Sequence, residues 1–358
     1  MSKNAYQMIP VGRYRIGAGQ PPFIIAEMSG NHNRSLKRAL AIVRAAAKAG
    51  ANAVKLQTYT ADTMTLDVRK RGFVIRDRKS LWKGLSLYEL YRDASTPWEW
   101  HAPIFNLCRK LGLIGFSTPF DETAVNFLET LKVPLYKISS FELVDLPLIR
   151  RVARTGKPIL MSTGMATLKE IHEAVHTART NGSGPIALLK CTSTYPAQAS
   201  ECNLRTIAEM ARRFRCQVGL SDHTMGIGVS LASVALGASL IERHFTLARA
   251  DGGVDSAFSL EPQELLQLVN GARAAWESLG KIRFGPSAGE KPSLLHRRSV
   301  YVCQNMKAGD IFSKENVRAI RPGLGLPPKH MDMILGRRIK RDAVRGTPLS
   351  LDLIEGQN

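Results

Sequence analysis

Phe23-Ile-Ile-Ala-Glu27-Met-Ser-Gly-Asn31-His32-Asn33 runs from four apolar residues straight into a knot of charged and amide side chains. An apolar run this short and unbroken reads as a strand buried on both faces, the pattern of a parallel sheet covered by helices. The same break recurs seven times further along. Its polar ends are Lys55-Leu-Gln57-Thr58, Ser117-Thr118-Pro-Phe-Asp121, Lys137-Ile-Ser139-Ser140, Ser162-Thr163-Gly164, Lys190-Cys-Thr192-Ser-Thr-Tyr195, Ser221-Asp222-His223 and Glu242-Arg-His244-Phe-Thr246. Stability alone does not ask for charge at one end of every buried strand. In a parallel barrel those ends converge on one face, where loops build a pocket around a substrate.

Helical stretches separate the runs. Ser35 to Lys48 has apolar residues at helical spacing, a Ser start and a Gly50 stop, and Thr167-Leu-Lys-Glu170 opens another helix with a capping box. Strands are expected at 113–117, 135–138, 159–162, 186–191, 218–220 and 239–241, after those at 23–26 and 53–57. Eight strand–helix units predict an α/β fold of the (β/α)8 TIM-barrel type. A doubly wound open sheet is the alternative, but it does not normally place site residues on all eight strands. Residues 60–97, rich in charge and aromatics (Trp82, Tyr88, Tyr91), are too long for a simple connection and read as a lid or specificity loop. The expected division is a barrel domain at 1–280, a Gly- and Pro-rich linker at 281–293, and a small β-rich domain at 294–358.

The chain of 358 residues is 44% hydrophobic and 22% charged, enough to bury a large core. No apolar run is long enough to span a membrane, and residues 1–20 lack a secretion signal's apolar stretch, so a cytoplasmic location is expected. The five cysteines form no CxxC pair and read as buried small hydrophobes. The formal charge of +20 is uneven: Lys281 to Arg345 carries 15 Lys and Arg against 5 Asp and Glu. Without interleaved aromatics or a recognised motif, the excess reads as a solvated surface that steers anions into a cleft, and not as a nucleic-acid interface.

Taken in order, Ala26-Glu-Met-Ser-Gly-Asn-His-Asn, Val54-Lys-Leu-Gln-Thr, Phe116-Ser-Thr-Pro-Phe-Asp, Tyr136-Lys-Ile-Ser-Ser, Ser162-Thr-Gly-Met, Cys191-Thr-Ser-Thr-Tyr-Pro, Gly219-Leu-Ser-Asp-His-Thr and His244-Phe-Thr-Leu resemble the sialic acid synthase family. The likeness covers nearly the whole chain, because Arg321-Pro-Gly-Leu-Gly resembles the signature of that family's C-terminal antifreeze-like (SAF) domain. It implies a metal-dependent transferase that condenses phosphoenolpyruvate with an N-acetylated amino sugar, releasing phosphate and a nine-carbon keto acid.

The resemblance also implies roles. Lys55, Lys137, Thr118, Ser140, Ser162 and Ser221 match the positions that bind phosphoenolpyruvate, and a trianion needs such cations and donors once it leaves water. His223 and His244 match the metal ligands; two imidazoles with water and substrate oxygens suit manganese, with magnesium or cobalt as substitutes. Glu27 and Asp255 are the acid/base candidates, and Gln57, Glu142 and Tyr195 match further substrate positions. Arg321 matches an arginine that crosses into the partner's barrel, which implies a domain-swapped homodimer. Taken singly, the hydroxyls read as turn or cap residues, Glu27 as a strand-end ion pair with a lysine, and Arg321 as a solvated arginine.

Within the family, Glu27-Met-Ser-Gly-Asn-His-Asn and the loop Ala250-Asp-Gly-Gly-Val-Asp255-Ser-Ala-Phe-Ser lean toward the branch taking 2,4-diacetamido-2,4,6-trideoxy-L-altrose. N-acetylneuraminate or legionaminate synthesis is the alternative, and a non-catalytic nucleic-acid or sugar-binding protein a remote one. A Schiff-base aldolase using Lys137 is a further reading, which borohydride trapping tests.

Overall fold

The chain enters through a short hairpin, β1 (Ile9–Val11) and β2 (Tyr14–Ile16), and then builds a closed barrel of eight parallel strands. These are β3 (Phe23–Glu27), β4 (Ala53–Thr58), β5 (Ile114–Pro119), β6 (Tyr136–Ile138), β7 (Ile159–Ser162), β8 (Ile186–Cys191), β9 (Gln217–Asp222) and β10 (Leu240–His244), with β10 pairing back onto β3. The computed structural model describes residues 6–77 and 80–356. The first five positions of the polar N-terminal stretch, positions 78–79 of the insertion and the last two residues of the C-terminal domain lie outside them.

Alternation along each strand explains the polar ends. Phe23, Ile25, Ala53, Phe116, Leu135, Leu160, Ala187, Leu189 and Leu240 share one cluster with Ile9, Val11 and Ile16 of the hairpin. Ile24, Ala26, Val54, Leu56, Tyr136, Ile138, Ile159, Met161 and Ile241 pack instead with residues of the surrounding helices. Side chains two apart face the same way. The inward series therefore continues from Ile25 to Glu27, Ala53 to Lys55, Phe116 to Thr118, Leu135 to Lys137, Leu160 to Ser162 and Leu240 to Glu242 and His244. Apolar layers fill the lower barrel, and the layer above them is polar. Gly219 is needed where β9 meets β10, since a Cβ there would lie 2.4 Å from the Leu240 carbonyl oxygen.

The connecting helices are α1 (Leu36–Lys48), α2 (Ala61–Met64), α3 (Leu87–Ala94), α4 (His101–Lys110), α5 (Glu122–Thr130), α6 (Leu146–Ala153), α7 (Leu168–Thr180), α8 (Thr206–Phe214), α9 (Gly228–Ala235) and α10 (Pro262–Ser278). Their starts follow the local sequence. Ser35 caps α1 by accepting from Arg38 N, and Thr167 with Glu170 closes a capping box on α7. Several strands run further than their apolar residues suggest: β5 reaches Pro119, β9 spans Gln217–Asp222 and β10 reaches His244. The ladder does not stop where polarity begins, because the barrel itself covers those side chains.

The long connection at 60–97 contributes α2 and α3, each opened by a capping box (Thr60 with Thr63, Ser86 with Glu89), and an isolated bridge pairs Val74 with Ser86. The chain divides into two compact units, Met1–Gly280 and Lys281–Asn358. The second holds an antiparallel pair, β11 (Ser299–Val302) and β12 (Val317–Ile320), a short α-helix, α11 (Met331–Ile334), and its own core around Val300, Val302, Phe312, Ile339 and Leu349. Among the described residues no helix is long and apolar enough to cross a membrane.

Candidate active site

Four charged side chains fill the polar layer inside the barrel. Lys55 Nζ lies 2.8 Å from Glu27 Oε2 and 3.7 Å from Glu242 Oε1, and Lys137 Nζ is 3.7 Å from the same Glu242 oxygen. All four are nearly inaccessible to solvent. Burial alone would neutralise each of them, yet the opposite charges are close enough to compete. Burial lifts the Glu27 carboxyl above its usual range against the pull of Lys55. For Glu242 burial also pushes upward, but Lys137 and Lys55 together outweigh it and the net shift is down. Burial pulls Lys55 down too; Glu242 and Glu27 overcome that and leave it raised, whereas Lys137, with one carboxylate between two lysines, ends lowered by burial.

Hydroxyls ring this cluster. Lys55 donates to Thr118 Oγ1 at 3.1 Å, Ser221 donates to Glu242 at 3.3 Å, and Ser140 Oγ accepts from Gly164 N at 3.1 Å. Ser162 Oγ, the second oxygen of Glu242 and His244 Nδ1 are buried and make no hydrogen bond among the described residues. Unsatisfied polar atoms gathered in one buried place mark a site built for a polar ligand.

Beside the lysines stand two imidazoles, His223 and His244, with ring centres 5.3 Å apart. His223 Nδ1 faces the Thr192 carbonyl at 3.0 Å, which fixes the tautomer and frees Nε2. His244 Nδ1 lies 3.5 Å from Asp255 Oδ2, and burial holds this imidazole well below its ordinary pKa, hence neutral. Ser29 donates to Asp255, whose carboxyl is raised by burial. Among the described residues no group of three His, Cys, Asp or Glu forms a ready-made cage for a metal. Two imidazoles whose ring centres lie this close, with unsatisfied carboxylate oxygens nearby, fit an open ion whose remaining positions go to water and substrate.

A cavity of about 380 Å³ opens from this layer and is lined by Ser29, Gln57, Glu142, Tyr195, His244 and Asp255 on the reactive side. Its far wall is apolar: Tyr59, Met64, Ile75, Leu87, Leu90, Tyr91 and Phe120, mostly from the insertion. Trp82 of the insertion donates from Nε1 to the Val254 carbonyl at 2.8 Å, joining this wall to the Asp255 loop. Glu142, half-buried in the wall, is pushed up to about 7 by burial.

The barrel thus gathers Glu27, Lys55, Gln57, Thr118, Lys137, Ser140, Glu142, Ser162, Tyr195, Ser221, His223, His244 and Asp255 at or beside one face. Arg321 is exposed in the second unit. His32 is fully buried and organises its own loop, with Nδ1 accepting from Arg34 N and Nε2 3.3 Å from Thr96 Oγ1.

Two residues stand out that sequence reasoning passed over. Glu242 was one of the strand-end charges without a role, and its position two before His244 on one strand was the available signal. Cys191, read only as a small hydrophobe, has its Sγ 3.9 Å from His223 Nδ1. All five cysteines are buried and free.

Comparison with known proteins places this geometry. Residues 42–283 match the model of the NeuB family, and residues 297–355 that of the SAF domain. The chain belongs to the NeuB family. A NeuB-family relative, the pseudaminic acid synthase of Helicobacter pylori, is 42% identical over 94% of this chain and 98% of its own length. The N,N'-diacetyllegionaminic acid synthase of Legionella pneumophila is 36% identical over 95% and 96%. Among solved structures, the N-acetylneuraminic acid synthetase of Leptospira borgpetersenii in complex with citrate superposes with a TM-score of 0.72 at 31% identity, covering 81% of this chain and 95% of that one.

Proposed function

We propose that this chain condenses phosphoenolpyruvate with 2,4-diacetamido-2,4,6-trideoxy-L-altrose, giving pseudaminic acid and phosphate. The observation that carries the substrate choice is the 42% identity, end to end, with the pseudaminic acid synthase of Helicobacter pylori. The apolar wall of Met64, Ile75, Leu87 and Leu90 supports it, since a sugar with a methyl at C6 and two acetamido groups offers apolar surface to cover.

The reaction makes a C–C bond between the substrates and a C–O bond to water, and breaks the C–O bond to phosphate. C3 of phosphoenolpyruvate attacks the aldehyde carbon of the sugar, whose oxygen takes a proton and becomes a hydroxyl. Water adds to C2, and cleavage of the C2–O bond releases phosphate and leaves the keto acid. Lys55 and Lys137, with Thr118, Ser140, Ser162 and Ser221, hold the phosphate and carboxylate; the two lysines exchange their bonds to Glu27 and Glu242 for bonds to substrate. Glu27 positions the incoming water or the sugar oxygen and moves the proton, and Asp255, beside Ser29 and His244, holds the sugar near the reacting carbon. Gln57, Glu142 and Tyr195 complete the sugar pocket. His223 and His244 would hold a divalent cation, most suitably Mn2+, with Mg2+ or Co2+ as substitutes. Such an ion supplies Lewis acidity that makes the aldehyde carbon electrophilic.

The same reading assigns residues 1–280 to the synthase barrel, 281–293 to a linker and 294–358 to the SAF domain. Arg321 then reaches a partner's sugar pocket in a domain-swapped homodimer, working in the cytoplasm. The deciding experiment measures phosphate release from phosphoenolpyruvate with Mn2+ and either the diacetamido sugar or N-acetylmannosamine. Release with the first alone supports the proposal. Release with the mannosamine moves the chain to N-acetylneuraminate synthesis, and release with neither sinks both.

A further inference from the structure

Asp222 and Arg243 are paired neighbours on β9 and β10, and each stands one residue before an imidazole of the site, His223 and His244. Alternation turns them out of the barrel lumen, toward the layer between the strands and α9. Their side chains are each 1% exposed, and Arg243 Nη1 lies 2.7 Å from Asp222 Oδ2.

The pair does more than join two strands. Arg243 Nη1 also donates to the Gly226 carbonyl at 2.8 Å, and Nη2 to the Thr224 carbonyl at 2.7 Å. Asp222 Oδ1 accepts from Thr224 N at 2.9 Å and Thr224 Oγ1 at 2.8 Å, while Oδ2 accepts from Ser230 Oγ at 2.5 Å. The loop between β9 and α9 is therefore tied by two of its carbonyls and one of its amides to a single charge pair. His223 is the first residue of that loop.

A buried ion pair is a poor way to gain stability, because apolar residues of similar volume hold a core as well without stripping two charges of water. What it supplies is directed geometry: the guanidinium fork engages a carboxylate and two carbonyls at fixed angles, which neither an ammonium nor an apolar group can do. Here that geometry acts on the backbone carrying one imidazole, from the strand carrying the other.

We propose that Asp222 and Arg243 are positioning residues that set the spacing of His223 and His244 and so the affinity of the site for a divalent cation. This rests on the assignment of those histidines as the cation's holders. The pair touches neither substrate nor ion; it acts through the loop.

The test titrates Mn2+ alone into the full-length protein and reads free Mn2+ by electron paramagnetic resonance, with phosphoenolpyruvate binding and circular dichroism in parallel. Arg243→Lys keeps the charge but cannot span Asp222, Gly226 and Thr224 together. The expected result is Mn2+ binding weakened about 10- to 100-fold, the range seen when groups behind a metal ligand are altered, with the fold and phosphoenolpyruvate binding retained. Unchanged Mn2+ affinity overturns the proposal. Should Arg243→Lys fold poorly, Ser230→Ala gives the reading, since it keeps both charges and removes only the hydroxyl that bonds Asp222 and, at 3.5 Å, Arg243; weaker Mn2+ binding supports the clamp and unchanged binding overturns it. A wild-type chain that binds no Mn2+ sinks the histidine assignment and the clamp together, whereas a wild type that binds it beside equally tight variants sinks the clamp alone.

Discussion

Glu27 and Lys55 occupy directly paired positions on β3 and β4, and their charges meet at 2.8 Å in the polar layer above the barrel's apolar core. Neither could sit there alone, since an unpaired buried charge costs several kcal/mol. In the proposed reaction the pairing is also provisional, because a trianionic substrate would compete for the same ammonium.

Replacing Glu27 by Gln should leave a folded protein, because Lys55 keeps Glu242 as a counter-charge 3.7 Å away. Turnover should fall by about 100-fold or more, the usual contribution of a positioned proton carrier. Lys55→Met removes the cation from between two carboxylates and should destabilise by about 3–5 kcal/mol. The double variant should regain part of that stability and none of the activity. Thermal melts and phosphate release on the three variants decide it; full activity in Glu27→Gln removes Glu27 from the chemistry.

Glu142 makes a pH prediction. Its folded pKa of about 7 lies above the ordinary 4.5, so between those values the native protein keeps a proton that the unfolded chain has released. Stability from this group is complete below pH 4.5 and is lost as pH rises through 7. The loss is at most about 3 kcal/mol, and less because water still reaches the half-buried carboxyl. Glu142→Gln cannot lose it. Its melting temperature should match wild type near pH 5 and exceed it at pH 8; an offset that does not change with pH refutes the assignment.

His101 works with the opposite sign. Its Nε2 lies 2.8 Å from Thr58 Oγ1 and its Nδ1 near the Pro97 and Trp98 carbonyls, and burial lowers its pKa to about 4 from 6.5. Its stabilising effect is present above pH 6.5 and lost as pH falls toward 4, by up to about 3 kcal/mol. His101→Gln should be the weaker protein at pH 8 yet show a shallower loss on acidification. His32, lowered to about 4 in the same way, leaves part of the slope in place.

The sequence made the barrel legible because each apolar run ended in residues that a core excludes, and the period of two carried on into those residues. Lys55, Lys137 and His244 were visible for that reason. Glu242 was not, because nothing local distinguishes a carboxylate that balances two lysines from one that ends a strand; the balance exists only once β4, β6 and β10 converge. The insertion was recognisable as excess length, but its apolar wall joins Met64, Ile75, Leu90 and Phe120, which are adjacent only after α2 and α3 fold over the barrel mouth. The strand ends were underestimated for a related reason: polar residues stay in the ladder when the opposite rim shields them.

Trp82 ties that wall to the Asp255 loop through one hydrogen bond and lies tilted against Tyr195, 6.1 Å between ring centres. Trp82→Phe keeps most of the apolar area and deletes the bond, a loss of about 1 kcal/mol or a factor of about five. Because Val254 adjoins Asp255 and lines with it the cavity whose lining leaves out the lysine pair, the effect should fall on the sugar alone. KM for the sugar should rise about fivefold while KM for phosphoenolpyruvate and the melting temperature stay near wild type. Steady-state kinetics with each substrate varied in turn would show it, and equal increases in both constants would mean that the insertion holds the whole mouth of the barrel and not the sugar pocket.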